Sequence, residues 1–253
     1  MKILVSGASG YIGGYVIDEL LNQGHEVIGT SRRIPKADIN FIPHDIFIDY
    51  KANLWKKFQK PDALIHCAWS EVHNYNSKNQ FDNIKPSFDF IKKLGVDNVT
   101  VLGTCFEYGT VEGKLEEKGV YDSYITPYGE AKKMLSLLLP DNIKKLKLFY
   151  NYGPGQRMYD SLIKCTDVFN TVDENQYRDY MPIKEVAKFI VKSSLSTELH
   201  GVLNICSGAP KRVIDLISDI NKNVKLNIGA YIKPEYEANN FYGCNKKMLF
   251  YLT

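Results

Sequence analysis

Apolar positions along the chain come in two rhythms that alternate from the first residues onward. Ile3 to Val5 is a short apolar run, read as a buried strand, and it is followed by an amphipathic pattern over Tyr11 to Asn22 that stops at Gly24. The same succession recurs. Further strands are expected at His25–Thr30, Asn40–Pro43, Ala63–Cys67, Val99–Leu102 and Leu146–Tyr150. Helices are expected at Asn53–Gln59, Phe81–Leu94 and Tyr128–Leu139. Pro86 bends or delays the second of these, and Pro127 suits the first turn of the third. Strands alternating with helices predict an α/β, doubly wound parallel sheet.

Past residue 155 the rhythm breaks. Met158–Asp179 has little periodicity, and a helix at Ile183–Ser193, a strand at Val202–Ile205 and a helix at Val213–Ile220 precede an aromatic, basic tail, Tyr231–Thr253. Polar Ser70–Gln80 and charged Gly109–Gly119 read as loops. The expected organisation is a dinucleotide-binding domain over 1–155 and a small substrate-binding lobe over 156–253, partly interleaved with the first domain.

The 253 residues hold enough apolar side chains, 44%, for one large domain plus a lobe. A net charge of +3 is too weak to draw a polyanion, so no nucleic-acid partner is expected. No apolar run reaches membrane-spanning length, so no membrane partner is expected. The five cysteines are odd in number and form no C-x-x-C pair, which fits a reducing cytoplasmic setting. The five histidines show no ligand spacing, so no metal is expected.

Gly7, Gly10 and Gly13 follow the first strand and open the first helix. Gly7 permits the tight turn, Gly10 lets backbone approach a pyrophosphate, and Gly13 lets helix and strand pack closely. The helix N-terminus, at Ser9, Tyr11 and Ile12, then faces the phosphates of a dinucleotide. The second strand ends in Ser31-Arg32-Arg33, where an acid would accept from the ribose 2′-OH of NAD. A hydroxyl and two guanidinium groups suit a 2′-phosphate instead. NADP(H) is therefore the preferred cofactor and NAD(H) the second choice. Asp45 and Ile46 are candidates for the adenine, and Cys67, Ala68 and Trp69 form a strand end that backbone and cofactor can share.

Tyr128 and Lys132 are four residues apart on one helical face. An ammonium near a phenol favours the phenolate and lowers its pKa, so Tyr128 can move a proton near neutral pH. Tyr180/Lys184 and Tyr242/Lys246 repeat the spacing, but Pro182 and Gly243 deny them a clear helix. Thr104 ends the fifth strand, where strand C-termini and helix N-termini meet at the ligand crevice.

With these motifs, the chain resembles extended short-chain dehydrogenase/reductases of the NAD-dependent epimerase/dehydratase family, which act mainly on nucleotide sugars. The resemblance rests on Gly7/Gly10/Gly13, Cys67-Ala68, Asn83, Thr104 before Tyr108-Gly109, Tyr128 with Lys132, Tyr152-Gly153-Pro154-Gly155, Arg178-Asp179-Tyr180 and Asn204-Ile205 before Gly208. It implies a Rossmann fold, a catalytic triad of Thr104, Tyr128 and Lys132, Asn83 at the cofactor, and a nucleotide-sugar substrate. It places Cys105, Phe106, Asn151, Arg157 and Arg178 near that substrate, and it implies a homodimer. The family's 4,6-dehydratases carry Asp and Glu where this chain has Cys105 and Phe106, so dehydration is not expected. The expected reaction is NADPH-dependent reduction of the C4 keto group of a nucleotide-linked 4-keto-6-deoxy sugar, in deoxysugar biosynthesis. The alternatives are a nucleotide-sugar 4-epimerase with retained NAD and a non-catalytic NADP-binding regulatory protein.

Overall fold

Side chains alternate across a strand, so Ile3 and Val5 of β1 (Lys2–Ser6) enter one apolar cluster while Leu4 enters another. Both sides of this strand are therefore covered. In the computed structural model, residues 1–48, 53–119, 121, 123, 125–234 and 237–252 are described. Residues 235, 236 and 253 of the tail lie outside the described residues. The chain continues through α1 (Tyr11–Asn22), β2 (Glu26–Thr30), β3 (Asn40–Phe41), α2 (Leu54–Lys57), β4 (Ala63–His66), α3 (Ile84–Leu94), β5 (Asn98–Thr104), β6 (Gly113–Leu115), α4 (Pro127–Leu138) and β7 (Lys144–Leu148). Next come β8 (Tyr150–Tyr152), α5 (Arg157–Lys164), β9 (Val168–Asn170), β10 (Tyr177–Pro182) and α6 (Ile183–Leu195). The last elements are β11 (Gly201–Ile205), β12 (Pro210–Arg212), α7 (Val213–Ile220), β13 (Lys225–Asn227), β14 (Asn240–Gly243) and α8 (Lys246–Leu252).

A seven-stranded parallel sheet has the order β11-β7-β5-β4-β1-β2-β3. The chain runs outward from β1 to β3, returns to β4 beside β1, and then runs outward the other way. The crevice between the C-terminal ends of β1 and β4 is therefore the topological switch point, where ligands enter doubly wound sheets. One face is covered by α1 and α6, packed on each other, and the other by α3 and α4. This is the doubly wound, Rossmann-like α/β fold expected.

A second sheet, β12-β10-β14-β6 with β8 on β10, roofs the C-terminal ends of the first. The two sheets exchange strands across residue 155: β6 belongs to the roof, whereas β11 joins the main sheet and α6 packs on it. Several local expectations are corrected. Gly109–Gly119 is not wholly loop, because Gly113–Leu115 pairs with β14. Met158–Asp179 contains α5, β9 and the start of β10. The helix around Pro86 starts late, at Ile84, after a 3-10 turn over Lys78–Asn83. That puts the proline in the first turn, where its missing N–H has no helical partner to lose. β7 starts at Lys144, before the expected strand, and Tyr150 begins a strand of the other sheet.

Candidate active site

The glycine turn is tight for a steric reason. Gly7 has φ +73°, and a Cβ there would stand 2.8 Å from the Ala68 backbone nitrogen. A Cβ on Gly13 would lie 2.3 Å from the Gly7 carbonyl oxygen. The ends of β1, β4 and α1 thus converge to backbone contact. Gly10 caps α1 without a side chain, and no acid occupies the first turn. The dipole end of α1, with first-turn N–H groups that have no partner within the helix, is left for an anion. Gly7, Gly10, Tyr11, Ile12 and Gly13 line a cleft of about 340 Å³ together with Cys67, Trp69, Thr104, Tyr128 and Lys132. A dinucleotide's pyrophosphate fits this cradle by the same test: backbone close to backbone, with donors and no competing carboxylate. Ser9 borders a second opening on the other side of the turn, with Lys36 and Pro154.

At the end of β2, Ser31 Oγ donates to the Arg33 carbonyl at 2.5 Å, so the hydroxyl shapes the turn. Arg32 and Arg33 are exposed, and the Arg32 guanidinium lies 6.0 Å from the Phe47 ring centre. Asp45 accepts from the Phe47 N–H at 3.0 Å, and Ile46 packs against the Leu4 cluster. Asn83 is fully buried. Its carboxamide oxygen accepts from Ser70 N and Oγ at 2.7 and 2.9 Å, so it fixes the loop after β4. Trp69 donates to Gln80 Oε1 at 2.8 Å in the same loop.

Thr104 ends β5 and starts a 3-10 turn, Cys105–Tyr108, through a capping box with Glu107. Thr126 caps α4, Pro127 fills its first turn, and Tyr128 and Lys132 follow one turn apart toward the cleft. Tyr128 sits among rings, with Tyr75 at 5.2 Å, Phe106 at 6.2 Å and Trp69 at 6.4 Å between centres. Its pKa differs in sign from expectation. Burial, with Tyr75 beside it, pushes the phenol well above its ordinary value, while a hydrogen bond with Thr104 pulls it down. Lys132 does not offset this. Its Nζ donates to the Leu102 carbonyl at 2.8 Å and stands 3.9 Å from the centre of the Trp69 ring. Burial lowers its own pKa to about 8.

Among the described residues that line the cleft there is no Asp or Glu. Cys105 is buried, with its thiol pushed up to about 12, and cannot act as a carboxylate would. Phe106 and Asn151 border the cleft, whereas Arg157 lies on the exposed start of α5. Arg178 is buried in β10 beside a second cavity of about 250 Å³, and Tyr150 borders both cavities. The Arg178 guanidinium donates to Glu237 at 2.7 Å and to the Tyr177 and Asn239 carbonyls at 2.8 and 3.0 Å. Sequence reasoning missed Tyr75, Tyr150, Glu107 and Glu237. Only Glu107 had a legible signal, the Thr-x-x-Glu spacing of a capping box.

No described helix is long and apolar enough to cross a membrane, and no described cluster of His, Cys, Asp or Glu could hold a metal. The model of the NAD dependent epimerase/dehydratase family matches residues 3–206. The chain is 27% identical over 270 residues to a dTDP-6-deoxy-L-talose 4-dehydrogenase (NAD(+)) of Aggregatibacter actinomycetemcomitans, covering 96% of this chain and 99% of that one. It is 25% identical over 277 residues to a UDP-glucose 4-epimerase of Bacillus subtilis, covering 88% and 82%. Its fold matches UDP-glucuronic acid 4-epimerase from Bacillus cereus, solved with UDP-glucuronic acid and NAD. The TM-score is 0.79 at 23% identity, over 100% of this chain and 93% of the other. The strand–glycine turn–helix, the switch-point cleft and the matched family model agree: this chain belongs to the NAD-dependent epimerase/dehydratase family.

Proposed function

We propose that this protein reduces the C4 keto group of a nucleotide-linked 4-keto-6-deoxy sugar, with NADPH preferred to NADH, in deoxysugar biosynthesis. The observation that carries the reading is the cleft itself. The Tyr128 phenol, which lines it together with Thr104 and stands one helical turn from Lys132, is its proton donor, and no described lining residue is a carboxylate. Dehydration needs a base at the sugar C5 position, and Cys105 and Phe106 supply none. The relative matched over 99% of its length is a 4-dehydrogenase of a dTDP-6-deoxy sugar, the reverse direction of this chemistry.

When bound, the nicotinamide supplies hydride to C4. Tyr128, kept protonated by burial, gives its proton to the carbonyl oxygen as that oxygen becomes an alkoxide. Thr104 orients the same oxygen. The Lys132 ammonium, one turn away, stabilises the tyrosinate once it forms. Gly7, Gly10, Tyr11, Ile12 and Gly13 hold the pyrophosphate. Exposed Arg32 and Arg33 would take a 2′-phosphate, with Ser31 shaping the turn that carries them, and the absence of a carboxylate among these three supports NADPH. Exposed Met134, Leu137 and Leu138 on α4 support a homodimer, which light scattering would report as twice the chain mass.

The test is absorbance of the reduced nicotinamide. Purified protein is mixed with NADPH or NADH and a panel of dTDP-, GDP-, CDP- and UDP-linked 4-keto-6-deoxy sugars. NADPH oxidation by one member is expected, faster than NADH oxidation, and Tyr128→Phe loses about 10²–10⁴-fold in kcat while still binding cofactor. Retained activity in that variant removes Tyr128 from its role. The similarity to a UDP-glucose 4-epimerase favours one second reading, a 4-epimerase with retained NAD. Sugar interconversion with no added cofactor, and no oxidation across the panel, would establish it.

A further inference from the structure

Behind the Thr104 end of β5 lies a carboxylate that the mechanism above does not use. Glu107 is 2% exposed, in the 3-10 turn between β5 and the roof. Its Oε1 accepts from the Thr104 backbone N–H at 2.9 Å. Its Oε2 lies 3.8 Å from Lys147 Nζ on β7. The space it fills is reserved for it, since a Cβ on Gly103 would stand 2.3 Å from Oε1. Glu107 and Lys132 border the same small cavity of about 10 Å³, closed also by Leu102, Leu135, Ser136 and Lys145. That is about the size of a single water molecule.

We propose that Glu107 is the positioning residue of this catalytic centre: its carboxylate anchors the strand end that carries Thr104, and it is the counter-charge that keeps Lys132 an ammonium. Burial in an apolar site drives a lysine toward its neutral form unless an anion stands near. The charged and titratable groups around the pair are few. Burial raises the pKa of Glu107, Lys147 from β7 and Lys132 and Lys133 from α4 pull it down, and Lys145 from β7 borders the same cavity. On Lys132 act Glu107, the strongest of its raising influences, and the Cys67 thiol at the end of β4. His66, beside Cys67, is held neutral by burial and by Lys132. Lys147 is shared, because Glu107 holds its charge and the Tyr108 ring lies 3.8 Å from its Nζ. Without the carboxylate, two buried ammonium groups would face each other's surroundings unpaired.

The proposal rests on the reductase reading only for its kinetic arm. The first arm needs no substrate. The whole chain, labelled with ε-¹³C lysine, is titrated by NMR, with the Lys132 signal identified by its loss in Lys132→Met. In Glu107→Gln the midpoint is expected to fall by about 1 pH unit from the wild-type value. An unchanged midpoint overturns the proposal. Glu107→Asp keeps the charge and restores most of the midpoint, which a purely structural role would not do. If Glu107→Gln does not fold, Glu107→Gln/Lys147→Met removes both buried charges together and must show the same fall. The second arm is kcat against pH for NADPH oxidation, whose alkaline decline moves down with the Lys132 midpoint while KM changes little. A wild-type protein that oxidises NADPH with no sugar on the panel ends the reductase reading. The NMR arm still decides the role of Glu107.

Discussion

β1 and β7 lie in the same parallel sheet, both buried, and they are buried by opposite means. β1 reads Lys-Ile-Leu-Val-Ser and fills both faces with aliphatic side chains. β7 reads Lys-Lys-Leu-Lys-Leu, and all five residues are buried. Lys145 and Lys147 alternate on one face and Lys144 shares the other with Leu146 and Leu148. Each lysine passes its aliphatic stem through the interior and ends on an acceptor. Lys144 Nζ donates to Asn98 Oδ1 at 2.8 Å and to the Ser194 carbonyl at 3.0 Å. Lys145 Nζ donates to the Leu139 carbonyl at 2.8 Å. Lys147 has Glu107 and the Tyr108 ring. Burial lowers the pKa of Lys144 and Lys147, so the arrangement opposes itself electrostatically and holds because partners are built in. The comparison teaches that a buried strand needs filled volume and satisfied polar atoms, not an apolar sequence.

The largest effect expected from breaking this arrangement is at Lys147. Lys147→Met fills the space but leaves the Glu107 carboxylate buried without its nearest cation, at about 3–5 kcal/mol. Urea unfolding at neutral pH measures it. The sign of its pH dependence is fixed. Glu107 already has a raised pKa from burial, and losing Lys147 raises it further. The folded variant then binds more protons than the unfolded chain between the ordinary carboxylate range and that raised value. Its stability therefore increases as pH falls through this window. A loss as large at pH 5 as at pH 8 would show that Glu107 is not the group left unpaired.

The same contrast explains what could be read from sequence. Period-2 and apolar-run patterns placed β1, β2 and β4, and the 3.6-residue pattern placed α1 and α4 nearly to the residue. The apolar pattern predicts β7 only from Leu146, because Lys144 and Lys145 look like a solvated entry to a strand, and the acceptors of Lys144 lie 46 and 50 residues away in sequence. The roof strands β6 and β12 have three residues each, too short for any period to register. At the site, Tyr128 and Lys132 were legible because helical spacing is local, and Thr104 because it closes a strand. The sign of the Tyr128 pKa shift was not, since it depends first on burial and then on Tyr75, from a polar loop without pattern. The Arg178–Glu237 pair joins two segments 59 residues apart, and nothing local marks it.

The smallest effect sharpens the comparison most. Lys145 has one buried hydrogen bond, to the Leu139 carbonyl, and an ion pair with Asp141 at 3.6 Å whose carboxylate is fully exposed. An exposed pair contributes little, and a single hydrogen bond contributes about 0.5–1.5 kcal/mol net. Methionine keeps the unbranched stem that packs beside α4. Lys145→Met should therefore cost about 1 kcal/mol, against about 2–5 kcal/mol for Leu4→Ala in β1, where removed methyl groups leave a cavity. Paired urea titrations of the two variants test this on one sheet. If Lys145→Met proves as damaging as Leu4→Ala, the ammonium at that position is bound by more than its carbonyl, and β7 is held by its charges rather than by the stems that carry them.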